Sequence, residues 1–119
     1  MFIIPLMNAA FFNNWTNQAH KGTLVLNILN DIRNRRMYGY EIERKFRKST
    51  GLLISEGTIY AILRRLRQQG LVKTAQAKSP DGPKRKYYQL TNTGRETLAQ
   101  MNILWQSIRR QADHIELGK

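Results

Sequence analysis

Ser55-Glu56-Gly57-Thr58-Ile59-Tyr60-Ala61-Ile62-Leu63-Arg64-Arg65-Leu66-Arg67-Gln68-Gln69-Gly70 is the stretch that decides the fold. Ser55 is a good N-cap, because its hydroxyl can accept from an unsatisfied backbone N–H of the first turn, and Gly70 is a C-terminal glycine. Between them Ile59, Ile62, Leu63 and Leu66 recur at helical spacing and predict a single buried stripe. Arg64, Arg65 and Arg67 fall outside it. The segment reads as a helix that is apolar within and cationic without.

Downstream, Leu71 to Ala77 and Arg85 to Leu90 read as two short strands. The Lys78-Ser79-Pro80-Asp81-Gly82-Pro83-Lys84 segment between them is dense in turn formers and signals a hairpin. Upstream, a first helix is expected from about Asn17 to Arg33. Its Leu24, Val25, Leu26, Ile28, Leu29 and Ile32 cover most of its circumference, which suits a central helix. Asn34 to Met37 reads as a turn. Tyr38, Ile42 and Phe46 then mark one face of a second helix that runs to about Ser49 and is ended by Gly51. Thr91 is an N-cap for a last helix toward Ile115. Three helices followed by a two-stranded hairpin is the order of a winged helix-turn-helix, an α+β fold that is mostly α. The expected organisation is an apolar arm over 1–16, the winged domain over 17–90 and a dimerisation helix over 91–119.

With 119 residues the chain is long enough to bury a true core. Its charge is lopsided: 20 Lys and Arg against 8 Asp and Glu give +12. Such an excess calls for a polyanionic partner, nucleic acid or an acidic membrane surface. The absence of Cys excludes disulfides, thiolate metal sites and a cysteine nucleophile. Met1 to Phe12 is almost wholly apolar, yet the first cation is Lys21, and Pro5 and Asn8 interrupt the run. That is neither the cationic start of a secretory signal nor the roughly 20 apolar residues of a membrane span. An arm that buries its aromatics against the body or a neighbouring subunit fits better.

The last helix has the clearest periodicity. Leu98, Met101, Trp105, Ile108, Ala112 and Ile115 alternate spacings of three and four, the seam of a coiled coil. An ordinary core-facing helix is the competing explanation, but Ile103 and Leu104 outside the seam predict a second buried flank. A helix placed between its own domain and another subunit accounts for both.

The third helix and hairpin hold the charge. Between Gly51 and Leu90 eight Lys and Arg stand against Glu56 and Asp81, a local +6 and half the total. The major groove of B-DNA admits one α-helix, and the free N–H groups of a helix start suit a phosphate. Thr58, Tyr60 and Arg64 are the candidates for base edges or the groove. Ser55, Gly57, Arg65, Lys84, Arg85, Lys86 and Tyr88 complete the expected DNA-binding set, mostly through phosphates. Tyr87 and Tyr88 are adjacent, so one is expected inward and one outward. A single-strand stacking platform is disfavoured, since a sheet of two strands offers few ring positions.

These residues resemble the PadR family of bacterial and archaeal transcriptional regulators. The resemblance rests on Lys21-Gly22-Thr23-Leu24, Tyr38-Gly39-Tyr40-Glu41-Ile42, Glu56-Gly57-Thr58-Ile59-Tyr60, Leu63-Arg64-Arg65-Leu66, Gly70-Leu71-Val72, Arg85 to Gly94, and Trp105. Each fragment is weak alone, but the ordered set, from residue 21 to about 115, is specific. Ala61 and Met37 stand where the family often has Pro, and neither change removes a charge. With one helix after the wing, the chain resembles the family's short members. The apolar residues 1–14 are outside the pattern.

The resemblance implies a dimer joined through the last helix and the N-terminal region, with the third helix in the major groove and the wing alongside. It also implies a cytoplasmic regulator, a repressor by expectation, on a near-palindromic operator. Family members sense small, often aromatic molecules at the dimer interface. Trp105 is the candidate to stack on such an effector, with plain packing of the interface as the competing explanation. No metal, cofactor or membrane is expected, and no enzymatic activity: His20 and His114 lack carboxylate partners at motif spacing, and Ser55 has no evident base. Two other classes remain distinguishable. A protein-binding adaptor would bind DNA weakly and without sequence preference. A peripheral membrane protein would bind liposomes through residues 1–14.

Overall fold

The first helix, α1 (Ala9–Asp31), starts well before the expected Asn17. Nothing from Ala9 onward breaks a helix, so residues 9–16 continue it rather than forming an arm. Phe11, Phe12 and Trp15 are exposed on this extension, and Phe12 stacks on Trp15 with ring centroids 6.4 Å apart. The structure, a computed structural model, describes residues 8–51 and 54–117, with the backbone alone at 50 and 115–117. Residues 1–7 of the expected arm lie outside that range.

Where a turn was expected, Met37–Tyr38 form a short strand, β1. Two residues leave no period to read. They pair antiparallel with the wing, Met37 with Tyr88 and Tyr38 with Tyr87. Then come α2 (Gly39–Thr50) and α3 (Glu56–Gln68). Gly51 ends α2 at φ 74°, a left-handed conformation that glycine adopts without a Cβ penalty. Strands β2 (Val72–Lys78) and β3 (Lys84–Leu90) make the hairpin, giving a three-stranded sheet in the order β1-β3-β2 rather than a two-stranded one. Its turn is held by Ser79, whose hydroxyl lies 2.5 Å from an Asp81 carboxylate oxygen and 2.8 Å from the Pro83 carbonyl.

One core holds these pieces together. Ile28 and Leu29 from α1, Ile32 just past its end, Ile42 and Phe46 from α2, and Ile59, Leu63 and Leu66 from α3 pack with Val72, Tyr88, Leu90 and Leu98. Each fully buried aliphatic side chain of this kind contributes about 1.5–3 kcal/mol. Ile62, expected in the buried stripe, is only partly covered at its edge.

The last helix, α4 (Asn92–Leu117), is fastened at its start. Thr91 Oγ1 donates to the Gly70 carbonyl at 2.6 Å and accepts from Gly94 N at 2.9 Å, while Thr91 N donates to the Leu71 carbonyl at 3.1 Å. Arg95 reaches the Arg33 carbonyl at 2.9 Å, beside the end of α1. Two turns further along α4, Asn30 and Asn102 exchange side-chain hydrogen bonds of 3.1 and 3.0 Å, fixing the register of α4 on α1.

Gly94 sits so close to the wing that a Cβ there would overlap the Leu71 carbonyl oxygen. Gly94→Ala is therefore expected to destabilise the fold by about 1–3 kcal/mol through overpacking against backbone. At Gly57 an added methyl meets nothing nearer than 3.9 Å, so Gly57→Ala leaves stability unchanged or raised by less than about 1 kcal/mol. Equilibrium denaturation of the two variants checks both.

Candidate nucleic-acid interface

Burying Ile59, Leu63 and Leu66 turns a second stripe of α3, Tyr60, Arg64 and Arg67, toward the wing. Across from it stand Lys86 and Tyr88 of β3. Together these five residues line a cavity of about 450 Å³. A neighbouring cavity of about 320 Å³ shares Tyr60, Lys86 and Tyr88 and extends past Lys84 and Arg85 to Tyr38, Gly39 and Tyr40 at the start of α2. The result is a continuous basic and aromatic trough between recognition-type helix and wing.

The expected site residues divide by what holds them. Ser55 is an N-cap in extended conformation: it accepts from Thr58 N at 3.1 Å, and the two hydroxyls are 2.9 Å apart. Gly57, Thr58, Arg64 and Arg65 are exposed, Arg65 one helical repeat beyond Thr58. Tyr60 is half-exposed with its ring over Gly39, where a Cβ would overlap the ring. Gly39 is thus a residue that sequence reading missed as part of the site; the signal was its place in the Tyr38-Gly39-Tyr40 run. Arg67 was likewise left out of the expected set, although its spacing from Tyr60 and Arg64 could have found it.

Pairing with acids separates the cations further. Among the described residues Arg35 pairs with Glu41, Lys45 with Asp31, Arg47 with Glu43 and Arg85 with Asp81, at 3.3 to 3.6 Å. Of the eight cations between Gly51 and Leu90, only Arg85 has such a partner; the other seven face solvent without one. Arg85 is also packed 4.5 Å over the Tyr38 ring. Strand alternation puts Arg85 and Tyr87 on the side of the sheet opposite Lys86 and Tyr88. Tyr87 faces outward as one of the pair was expected to, yet it is buried beneath Arg36, 4.5 Å above its ring, and against Tyr38 at 5.6 Å. Neither ring is bare, which removes the surface a stacking platform needs.

Two groups of the trough and wing are shifted from their ordinary values. Burial, and next the neighbouring Tyr60, push the Tyr88 hydroxyl upward, against the opposing pull of Arg67 and Arg64. It remains a proton donor at neutral pH. The Ser79 hydroxyl, followed by backbone and Arg85, holds Asp81 below the usual carboxylate range, so the wing tip keeps its ion pair in mild acid.

A second apolar groove runs between α1 and α4. Gln18, Ala19, Gly22, Thr23 and Leu26 face Met101, Leu104, Trp105 and Ile108 across a cavity of about 350 Å³. Leu98, the first residue of the expected seam, is buried in the protomer's own core, because α4 leaves the sheet at that point. Met101 packs partly against that core, whereas Trp105, Ile108 and Ala112 are exposed; the Ile115 side chain is outside the described residues. Ile103 and Leu104 are exposed at 67% and 60%, so the second flank is not covered within one protomer. No helix among the described residues is long and apolar enough to cross a membrane.

The architecture has close counterparts. The chain is 34% identical to a PadR-like transcriptional regulator from Bacillus cereus, with a TM-score of 0.81 over 86% of this chain and 99% of that one. It is 31% identical to a Streptococcus transcriptional regulator, TM-score 0.78, covering 83% and 97% of the two chains. A PadR-like transcription factor from Bacteroides fragilis matches at 32% identity and a TM-score of 0.70, over 86% and 98%. These are regulators, not enzymes. Residues 25–100, which span the core, the α3 helix and the wing, match the transcriptional regulator PadR-like family, and the chain with its winged helix and single trailing helix belongs to that family.

Proposed function

We propose that this protein is a cytoplasmic homodimer that binds a near-palindromic DNA operator by sequence and represses transcription there. The observation that carries the reading is the trough between α3 and the wing, where cations without an ion-pair partner among the described residues collect, while Asp31, Glu41 and Glu43 pair with cations elsewhere. Thr58, Tyr60 and Arg64 are assigned to base edges of the major groove, and Ser55, Gly57, Arg65, Lys84, Lys86 and Tyr88 to backbone contacts. Arg85, stacked on Tyr38 and paired with Asp81, is assigned to fixing the wing as well as to the phosphate contact expected of it, since it lines the trough beside Lys84 and Lys86.

The exposed apolar surface supports the dimer. Apart from Tyr40 and Tyr60, every strongly exposed large apolar side chain among the described residues lies on α1 or α4. A second copy that covers Trp105, Ile108 and the Phe12–Trp15 pair would remove this surface from water. The two α3 helices of such a dimer meet half-sites about one helical turn apart. The α1–α4 groove, with Trp105 on its wall, is assigned to a flat aromatic effector that loosens DNA binding.

Genomic fragments selected by the protein are expected to be near-palindromic, with affinity falling about 10³–10⁵-fold between about 50 and 200 mM salt for 6–10 phosphate contacts. Leu104→Glu with Ile108→Glu is expected to give monomers by sedimentation and to weaken operator binding at least about 100-fold, as joint engagement of the half-sites is lost. Sequence-blind, salt-insensitive binding overturns the reading in favour of an adaptor.

Gly39→Ala displaces the Tyr60 ring and is expected to weaken operator binding at least about tenfold, with a far smaller effect on non-specific DNA, since base contacts carry the discrimination. Competition titrations measure the ratio. In a Trp15→Phe background, planar cationic or phenolic compounds are expected to quench Trp105 emission and to release DNA. A panel that quenches nothing leaves Trp105 as packing alone.

A further inference from the structure

The trough contains a narrower feature. Tyr60, Arg64 and Arg67 occupy positions i, i+4 and i+7 of α3 and face Lys86 and Tyr88 across the cavity of about 450 Å³. No carboxylate lines it. None of Arg64, Arg67 and Lys86 has an ion-pair or hydrogen-bond partner among the described residues. Three cations that converge on one concavity repel each other unless an anion lies among them. The Tyr88 hydroxyl, itself in the cavity wall, keeps its proton and can donate.

Duplex geometry supplies the anion. A sugar–phosphate strand separates each major groove from the adjacent minor groove, so a protein with a helix in one and a hairpin along the next must straddle that strand. The straddled strand passes between α3 and β3. We infer that the α3–β3 cleft seats one phosphodiester of the duplex backbone, gripped by Arg67 from the helix and by Lys86 from the wing, with the Tyr88 hydroxyl as a further donor, while Tyr60 and Arg64 keep the base-edge role assigned above. This rests on the DNA-binding reading above and sharpens it. Arg67 becomes a binding residue, and one phosphate, held from both sides, sets the wing's register against the helix. The planar guanidinium of Arg67 can meet two phosphate oxygens together, which an ammonium cannot.

The test measures binding of the full chain to a mixed-sequence duplex about three helical turns long as salt is varied. Each lost phosphate contact lowers the log–log slope by about 0.9. Arg67→Gln and Lys86→Gln are each expected to weaken binding with little change of slope, and the double variant to lower the slope by about 0.9, because either cation alone still neutralises the shared phosphate. Arg67→Lys retains the slope and weakens affinity. Both side chains are exposed, and thermal unfolding midpoints equal to the wild type establish that the variants fold. A steep wild-type slope that the double variant leaves unchanged overturns the seat and leaves the DNA-binding reading standing. An additive fall of about 1.8 overturns the sharing of one phosphate. A wild-type chain that ignores the duplex removes the seat and the reading together.

Discussion

A helix with 3.6 residues per turn that commits Ile59, Leu63 and Leu66 to a core has no freedom over where Tyr60, Arg64 and Arg67 point. The remaining structure follows from that constraint. The core stripe is clamped by α1, α2 and the sheet, so the polar stripe is delivered against β3 at a fixed height. Alternation along β3 does the same for the wing: Tyr88 reaches inward to the core, and Lys86 follows it into the trough. Two incompatible-looking periods, one helical and one of two residues, therefore meet at a single concave surface.

Electrostatics sorts the cations by what lies near them. Glu41, Glu43, Asp31 and Asp81 each hold an Arg or Lys of the scaffold, three of them on α2 or at the α1–α2 contact. Exposed ion pairs of this type add little stability each. Their larger consequence is spatial, because they neutralise part of the body, while α3 and the wing keep half of the excess charge in a third of the chain. Arg85 illustrates the division: its ring stacking on Tyr38 and its pair with Asp81 tie the wing to the start of α2. The same α2 start supports Tyr60 through Gly39. Wing and recognition-type helix thus share one point of attachment.

The α4 helix is the connection between that surface and the proposed second subunit. Thr91 binds the end of α3 and the start of α4 in one residue, Gly94 permits the close approach to Leu71, and the Asn30–Asn102 pair sets the register. Movement of α4 in the proposed dimer would be passed to α3 through these few contacts. An effector in the α1–α4 groove lies beside the same helix.

Much of this was legible in the chain. The N-cap at Ser55, the glycine stop at Gly51, the strand–turn–strand run and the α4 period are local signals, set by backbone chemistry within a few residues, and the structure places helices and strands where they indicated. The charge excess on the third helix and wing was equally local. Three things were decided only by tertiary structure. Met37–Tyr38 became a strand because β3 offered an edge, which no two-residue segment can announce. Leu98 went to the protomer's own core, since an apolar period states that a face is covered but not by what. Arg85 found Asp81 and the ring of Tyr38, a residue 47 positions away in sequence. Periodicity and capping depend on neighbours along the chain and are written there; which partner an exposed or buried group finds depends on neighbours in space, and only folding supplies those.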